Sequence, residues 1–232
     1  MMVEERNNKV ALFLYDYTGL MAKPWVLDGY TCYCVDIQHK EGIHKQQEGL
    51  YFIGMDVRDF VKYWNGKVSF IASFPPCTDL AVSGAAHFAR KLQRNPNYLK
   101  EAMELVYIAR DFSEEQGCPW LLENPISRIA TQWRKPDYYF NPNDYGGYLP
   151  EDDVHPNYPQ YIEPRDAYPK KTCLWVGGGF VIPPTIPVQL LTSSKLHNNK
   201  LGGRSLRTKN IRSSTPRGFA KAVWLANKEN ND

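Results

Sequence analysis

Two short apolar runs in this chain each stop at a proline-stiffened turn that carries one reactive side chain. Val68-Ser69-Phe70-Ile71-Ala72 leads into Ser73-Phe74-Pro75-Pro76-Cys77-Thr78, and Trp120-Leu121-Leu122 leads into Glu123-Asn124-Pro125. Short apolar runs bounded by turn residues suit strands buried on both faces. Strands of that kind belong to parallel sheets covered by helices. Ligands bind outside the carboxyl ends of such strands. A thiol and a carboxylic acid at two strand ends therefore predict a site capable of nucleophilic and acid chemistry.

The rest of the chain supplies the sheet. Lys9 to Tyr15 and Thr31 to Ile37 read as strands, and a short apolar segment, Tyr51 to Ile53, precedes Asp56. Thr172 to Val176 is a further strand, ended by Gly177-Gly178-Gly179. Asn97 to Gly117 reads as a helix, with Leu99, Met103, Val106, Ile108 and Ala109 near one face. Ser214 to Asn227 reads as another, with Pro216 in its first turn and Phe219, Val223 and Ala226 on its apolar face. Strands separated by helix-length connections predict an α/β fold, a mostly parallel twisted sheet with helices on both faces. One domain over residues 1–232 is expected, with 138–169 and 178–213 as long surface loops rich in Pro, Tyr, Asn, Ser and Gly.

No apolar run approaches the roughly 20 residues needed to cross a bilayer, and no membrane partner is expected. Five cysteines without paired metal spacing fit a reduced, cytoplasmic protein, and no metal site is expected. Cys32 and Cys34, one residue apart in a strand, share a face and pack as small apolar groups. The net charge of +3 says little, but its distribution says more. Acids cluster at Glu151-Asp152-Asp153, whereas Lys195, Lys200, Arg204, Arg207, Lys209, Arg212, Arg217 and Lys221 make a basic end. That end suits phosphate contacts or is simply a solvated surface.

The Pro-Cys turn followed downstream by Glu-Asn resembles the catalytic signature of the cytosine-5 DNA methyltransferases, and most of all their small, divergent, phage-type members. This chain has Glu123-Asn124-Pro125 where the family signature is Glu-Asn-Val, and Thr78 where Gln is usual. The resemblance implies a Rossmann-like S-adenosylmethionine-dependent methyltransferase fold. It also implies the cytoplasm of a bacterium or a phage-infected host cell. By the same resemblance, Cys77 is the nucleophile that adds to carbon 6 of cytosine, and protonated Glu123 bonds ring nitrogen 3. Lys171, in Lys170-Lys171-Thr172, takes the place of a family arginine near the target base. Asp79, Ser83 and His87 follow the cysteine turn and could line the pocket or serve the loop.

The implied cofactor is S-adenosylmethionine, bound by Asp16, Tyr17, Gly19, Asp36, Asp56 and Val57. Asp16-Tyr17-Thr18-Gly19 stands at the family's glycine turn, with Met21 near the place of its second glycine. Asp36 ends the second strand, where a carboxylate bonds ribose hydroxyls in nucleotide-binding sheets. Asp56 with Val57 sits where family members contact the adenine, although a helix-capping role is the plain alternative for such an acid. The helix start Ser214-Thr215-Pro216-Arg217-Gly218 stands where the family closes over the cofactor.

The implied partner is DNA, duplex or single-stranded, with its cytosine flipped out. Gly177 to Ser213 offers about 37 residues, too few for a folded target-recognition domain. Recognition is then minimal, or a partner subunit supplies it, or the 138–169 segment does, where Tyr138, Tyr139, Tyr145 and Tyr148 could stack on bases or pack the loop. Two other readings stand beside this one. An amino-methyltransferase would carry Asp, Asn or Ser before the prolines and an aromatic residue after them; here Phe74 precedes and Cys77 follows. A catalytically silent protein would bind S-adenosylmethionine or nucleic acid without transfer.

Overall fold

A computed structural model describes residues 9–200 and 205–229, with the side chains of 198–200 outside that description. Eight strands form one sheet: β1 (Val10–Leu14), β2 (Thr31–Val35), β3 (Gly42–Gln47), β4 (Leu50–Gly54), β5 (Phe70–Ser73), β6 (Trp120–Pro125), β7 (Tyr138–Phe140) and β8 (Thr172–Gly177). Their order is β3-β4-β2-β1-β5-β6-β8-β7. β4, β2, β1, β5 and β6 run parallel, β3 is antiparallel to β4, and β8 is antiparallel to both β6 and β7. The helices are α1 (Lys23–Leu27), α2 (Val57–Tyr63), α3 (Phe88–Arg94), α4 (Tyr98–Gln116), α5 (Ile129–Gln132), α6 (Ser194–Lys200), α7 (Leu206–Ser213) and α8 (Arg217–Asn227). This is a Rossmann-like, doubly wound α/β fold with antiparallel additions at its edges.

Strand alternation divides the core. Leu12, Leu14, Ile71, Trp120 and Leu122 face one side with Val57 and Phe60 of α2 and Val106, Ala109 and Phe112 of α4. Ala11, Phe13, Phe70, Ala72 and Leu121 face the other with Trp25 of α1 and Phe219, Ala220 and Val223 of α8. Both faces of β1, β5 and β6 are buried, which is why those strands read as unbroken apolar runs. The chain order reverses at β1: it moves out through β2 and β4, then returns to β5 on the other side. The carboxyl ends of β1 and β5 therefore border the crevice where such sheets bind ligands.

The two expected surface loops are more structured than the sequence suggests. Residues 138–169 contribute β7 and 3₁₀ turns at Pro142–Tyr148 and Pro164–Asp166, and bury Tyr145, His155, Ile162, Ala167 and Tyr168. Tyr145 packs against Phe140 and Phe219 and is closed to solvent, so it cannot stack on a base. Residues 178–213 contain α6 and α7, with Asn210 and Ile211 of α7 buried. Pro216 precedes α8 as its cap position, and the helix itself begins at Arg217. Of the basic tract, Arg204 and the Lys200 side chain lie outside the described residues.

Candidate functional site

β5 and β6 are paired in parallel, with Ser73 opposite Leu122, so the two turns leave the sheet side by side. The amide of Asn124 donates from Nδ2 to the Pro75 carbonyl at 2.8 Å and ties one turn to the other. Beyond the prolines the Cys77 carbonyl accepts from Leu80 and Ala81 at 3.1 and 2.8 Å, and buried Leu80 anchors the loop. Bonds from Val82 N to Ile126 O and from Arg128 N to Leu80 O fasten it to the segment after Glu123.

Cys77 is the only cysteine that is not buried. Burial pushes its thiol up; the positive charges of Lys170 and Arg212 oppose that, and Glu123 adds to it. Burial also raises the Glu123 carboxyl, opposed by Lys170. Thiol, acid and two cations thus lie within electrostatic reach of one another. Glu123 faces a narrow cavity walled by Phe74, Phe140, Phe219 and the 213–216 segment before α8. Its free room is about 10 Å³, the space of about one water, so a pyrimidine ring enters only if that wall shifts.

Lys171 does not join this group. It is exposed, with its ammonium 4.9 Å from the Tyr139 ring centroid. The neighbour, Lys170, carries the charge that reaches Cys77 and Glu123, and its Nζ donates to the Arg212 carbonyl at the end of α7. Asp79 is paired with Lys91, and Ser83 and His87 point to solvent.

At the end of β1 the chain turns sharply, with Tyr15 at φ 60°. Asp16 is buried, and its Oδ1 accepts from Thr18 N, Thr18 Oγ1 and Gly19 N at 2.9, 3.1 and 2.8 Å, while Oδ2 has no hydrogen-bond partner. Burial outweighs those bonds and raises this carboxyl to about 6. Gly19 has φ +65°, and a Cβ there would come within 2.9 Å of the Phe52 ring. Both facts favour glycine. Leu20 and Met21 turn inward to the core, so no second glycine serves this turn.

Asp36 ends β2, buried, with Oδ1 accepting from Gln38 N at 2.7 Å and its carboxyl raised by burial. Ile37 beside it is 72% exposed. His39 is sandwiched between Tyr17 and Phe52, at centroid distances of 5.4 and 4.3 Å, and its Nε2 lies 3.2 Å from the Asp16 carbonyl. That acceptor fixes the proton on Nε2, and burial holds the ring below its usual pKa. A cleft of about 360 Å³ opens here, between Tyr17, Thr18 and Gln38–Lys40 on one side and Asn157 and Tyr158 on the other.

Asp56 and Val57 have structural roles. Asp56 caps α2 through Arg58 N and holds the Arg58 guanidinium with both oxygens at 3.0 and 2.7 Å, which keeps its carboxyl below the ordinary range. Val57 is buried in the α2 face of the core. Neither lines the cleft beside Tyr17.

The orphaned Asp16 oxygen, the half-used Asp36 carboxylate, the glycine cradle and the exposed Ile37 suit a cofactor with a hydroxylated, positively charged body and an apolar ring. Lys170, Asn124 and His39 were not singled out from sequence. Asn124 stood inside the Glu-Asn-Pro turn and Lys170 beside the chosen lysine, whereas nothing in the sequence marked His39.

No family model matches the chain, and no curated protein matches it. Among solved structures that match is one from E. coli provisionally described as a DNA modification methyltransferase encoded within a prophage. It shares 11% identity at a TM-score of 0.43, over 78% of this chain and 53% of that one, so the chain spans about half that structure's length. Among the described residues, no helix is long and apolar enough to cross a membrane, and no cluster of metal-binding side chains occurs.

Proposed function

We propose that this protein transfers a methyl group from S-adenosylmethionine to carbon 5 of cytosine in DNA through a covalent adduct with Cys77. The observation that carries the reading is the pairing of β5 with β6, which sets the one unburied thiol and an acid of raised pKa on adjacent strand ends. Asp16, Tyr17, Gly19, Asp36 and Ile37 would hold the cofactor, which supplies an electrophilic methyl group on a sulfonium.

The residues divide the work as follows. Cys77, its proton lost to solvent, forms a bond to carbon 6 and breaks the 5,6 double bond of the ring. Glu123, its carboxyl raised by burial, donates in its protonated form to ring nitrogen 3 and takes up the charge that develops there. Carbon 5 becomes nucleophilic and gains the methyl group. Its proton then leaves to water, the sulfur–carbon bond breaks, and the nitrogen 3 proton returns to Glu123. Lys170 and Arg212 favour the thiolate. Arg207, Lys209 and Arg212 of α7 offer phosphate contacts beside this mouth, and target selection is minimal or comes from a partner subunit.

A second reading, a protein that binds cofactor or nucleic acid without transfer, draws on Asp16 and Asp56 being engaged with their own turns. Labelled S-adenosylmethionine incubated with duplex, single-stranded and mononucleotide substrates separates the two. The expected result is labelled 5-methylcytosine in DNA, abolished in Cys77→Ser with cofactor affinity unchanged. Cofactor binding without product would establish the silent reading, and methylation of free nucleotides alone would displace DNA as the substrate.

A further inference from the structure

The wall opposite Glu123 is held by a charged clasp outside the catalytic groups. Arg217, first residue of α8, donates from both terminal nitrogens to Asp153, at 2.7 and 2.6 Å. Asp153 also accepts from Arg165 N at 2.8 Å. Asp166, 1% exposed, caps α8 by accepting from Gly218 N at 2.9 Å. Arg165 and Asp166 both adopt left-handed backbone, at φ 54° and 50°, which non-glycine residues adopt at a cost. Gly218 approaches the chain so closely that a Cβ would lie 2.3 Å from the Tyr145 carbonyl. The residues just before this anchored point, 213–216, are the ones that line the Glu123 cavity, and buried Ser214 presents there an Oγ with no hydrogen-bond partner.

We infer that Arg217, Asp153 and Asp166 are positioning residues that fix the 213–216 wall against Glu123 and so limit the acid to about one water until a base takes its place. Two residues in left-handed backbone and a bidentate ion pair converge on the start of α8. The inference rests on the reading of Glu123 as an acid that pairs with a base. Loosening the wall hydrates Glu123, lowers its pKa and leaves less of the protonated form at neutral pH. The charged or titratable groups facing Glu123 are Cys77 from the β5 turn, Tyr168 and Lys170 before β8, and Cys173 on β8; of these, Tyr168 also feels the charges of Asp166 and Arg217 in the clasp.

The test is a carboxyl-carbon NMR titration of Glu123 in the full chain, beside the pH profile of methyl transfer. In Arg217→Ala the Glu123 titration should move down by about one pH unit, with the alkaline limb of kcat moving by the same amount. Arg217→Lys, which keeps the charge but lacks the planar two-point fork, should fall between, and Asp153→Asn checks the partner without changing size. Circular dichroism must show each variant folded. An unchanged Glu123 titration in folded Arg217→Ala and Asp153→Asn overturns the clasp. A shifted titration in a protein that methylates nothing supports the clasp and sinks the functional reading instead.

Discussion

Asp16 pits burial against three hydrogen bonds, and burial wins: its carboxyl rises from the ordinary 3.8 to about 6. Asp166 is raised to about 6 for the same first cause. An acid whose folded pKa is raised contributes stability that is complete below the unfolded value and is lost as pH climbs through the folded one. Each shift of about two units corresponds to up to about 3 kcal/mol. His155, held at about 4 by burial, acts in the opposite direction between pH 5 and pH 7, so the test is a comparison: in urea denaturation Asp16→Asn should lose less stability, or gain more, than the wild type on going from pH 5 to pH 7, and identical changes in the two proteins would contradict it. In the proposed reading Asp36 has a different task. With one oxygen engaged only by Gln38 N, it is free to accept from ribose hydroxyls, and Asp36→Ala should weaken S-adenosylmethionine roughly tenfold or more by calorimetry. An unchanged affinity would move the cofactor elsewhere.

At the scale of elements, the two turns depend on the Asn124–Pro75 bond. Asn124→Ala leaves the Pro75 carbonyl unpaired and should cost about 1–2 kcal/mol in denaturation, with a larger loss of methyl transfer because the thiol is no longer held beside Glu123. The strands that carry these turns were legible because both faces of β1, β5 and β6 are apolar. β3 was not: Gly-Ile-His-Lys-Gln-Gln is a polar, exposed edge recognisable only by its partner β4. β7 has three residues, two of them exposed tyrosines, and is a strand only because β8 runs beside it. α7 buries only Asn210 and Ile211, too little apolar pattern to separate it from a loop. The lysine pair shows the same limit at the site. It lies before Thr172, where β8 begins, so strand alternation could not say which lysine faces the thiol.

Across the whole molecule, the reversal of strand order at β1 brings the Asp16–Gly19 turn and the cysteine turn to one crevice, with the basic helix α7 near its mouth. If DNA lies along α7, replacing Arg207 or Lys209 by alanine should weaken binding to all sequences alike, and each should reduce the salt slope by about one. Filter binding at several salt concentrations measures both, and an unchanged slope would place the DNA elsewhere. The covalent step is the centre of the account. DNA containing 5-fluorocytosine gives carbon 5 no proton to lose, so the Cys77 adduct cannot resolve after methyl transfer. Mass spectrometry of the protein incubated with that DNA and S-adenosylmethionine should find a stable complex linked through Cys77, absent in Cys77→Ser. Efficient methylation of ordinary cytosine DNA with no such complex, or with full activity in Cys77→Ser, would contradict the account.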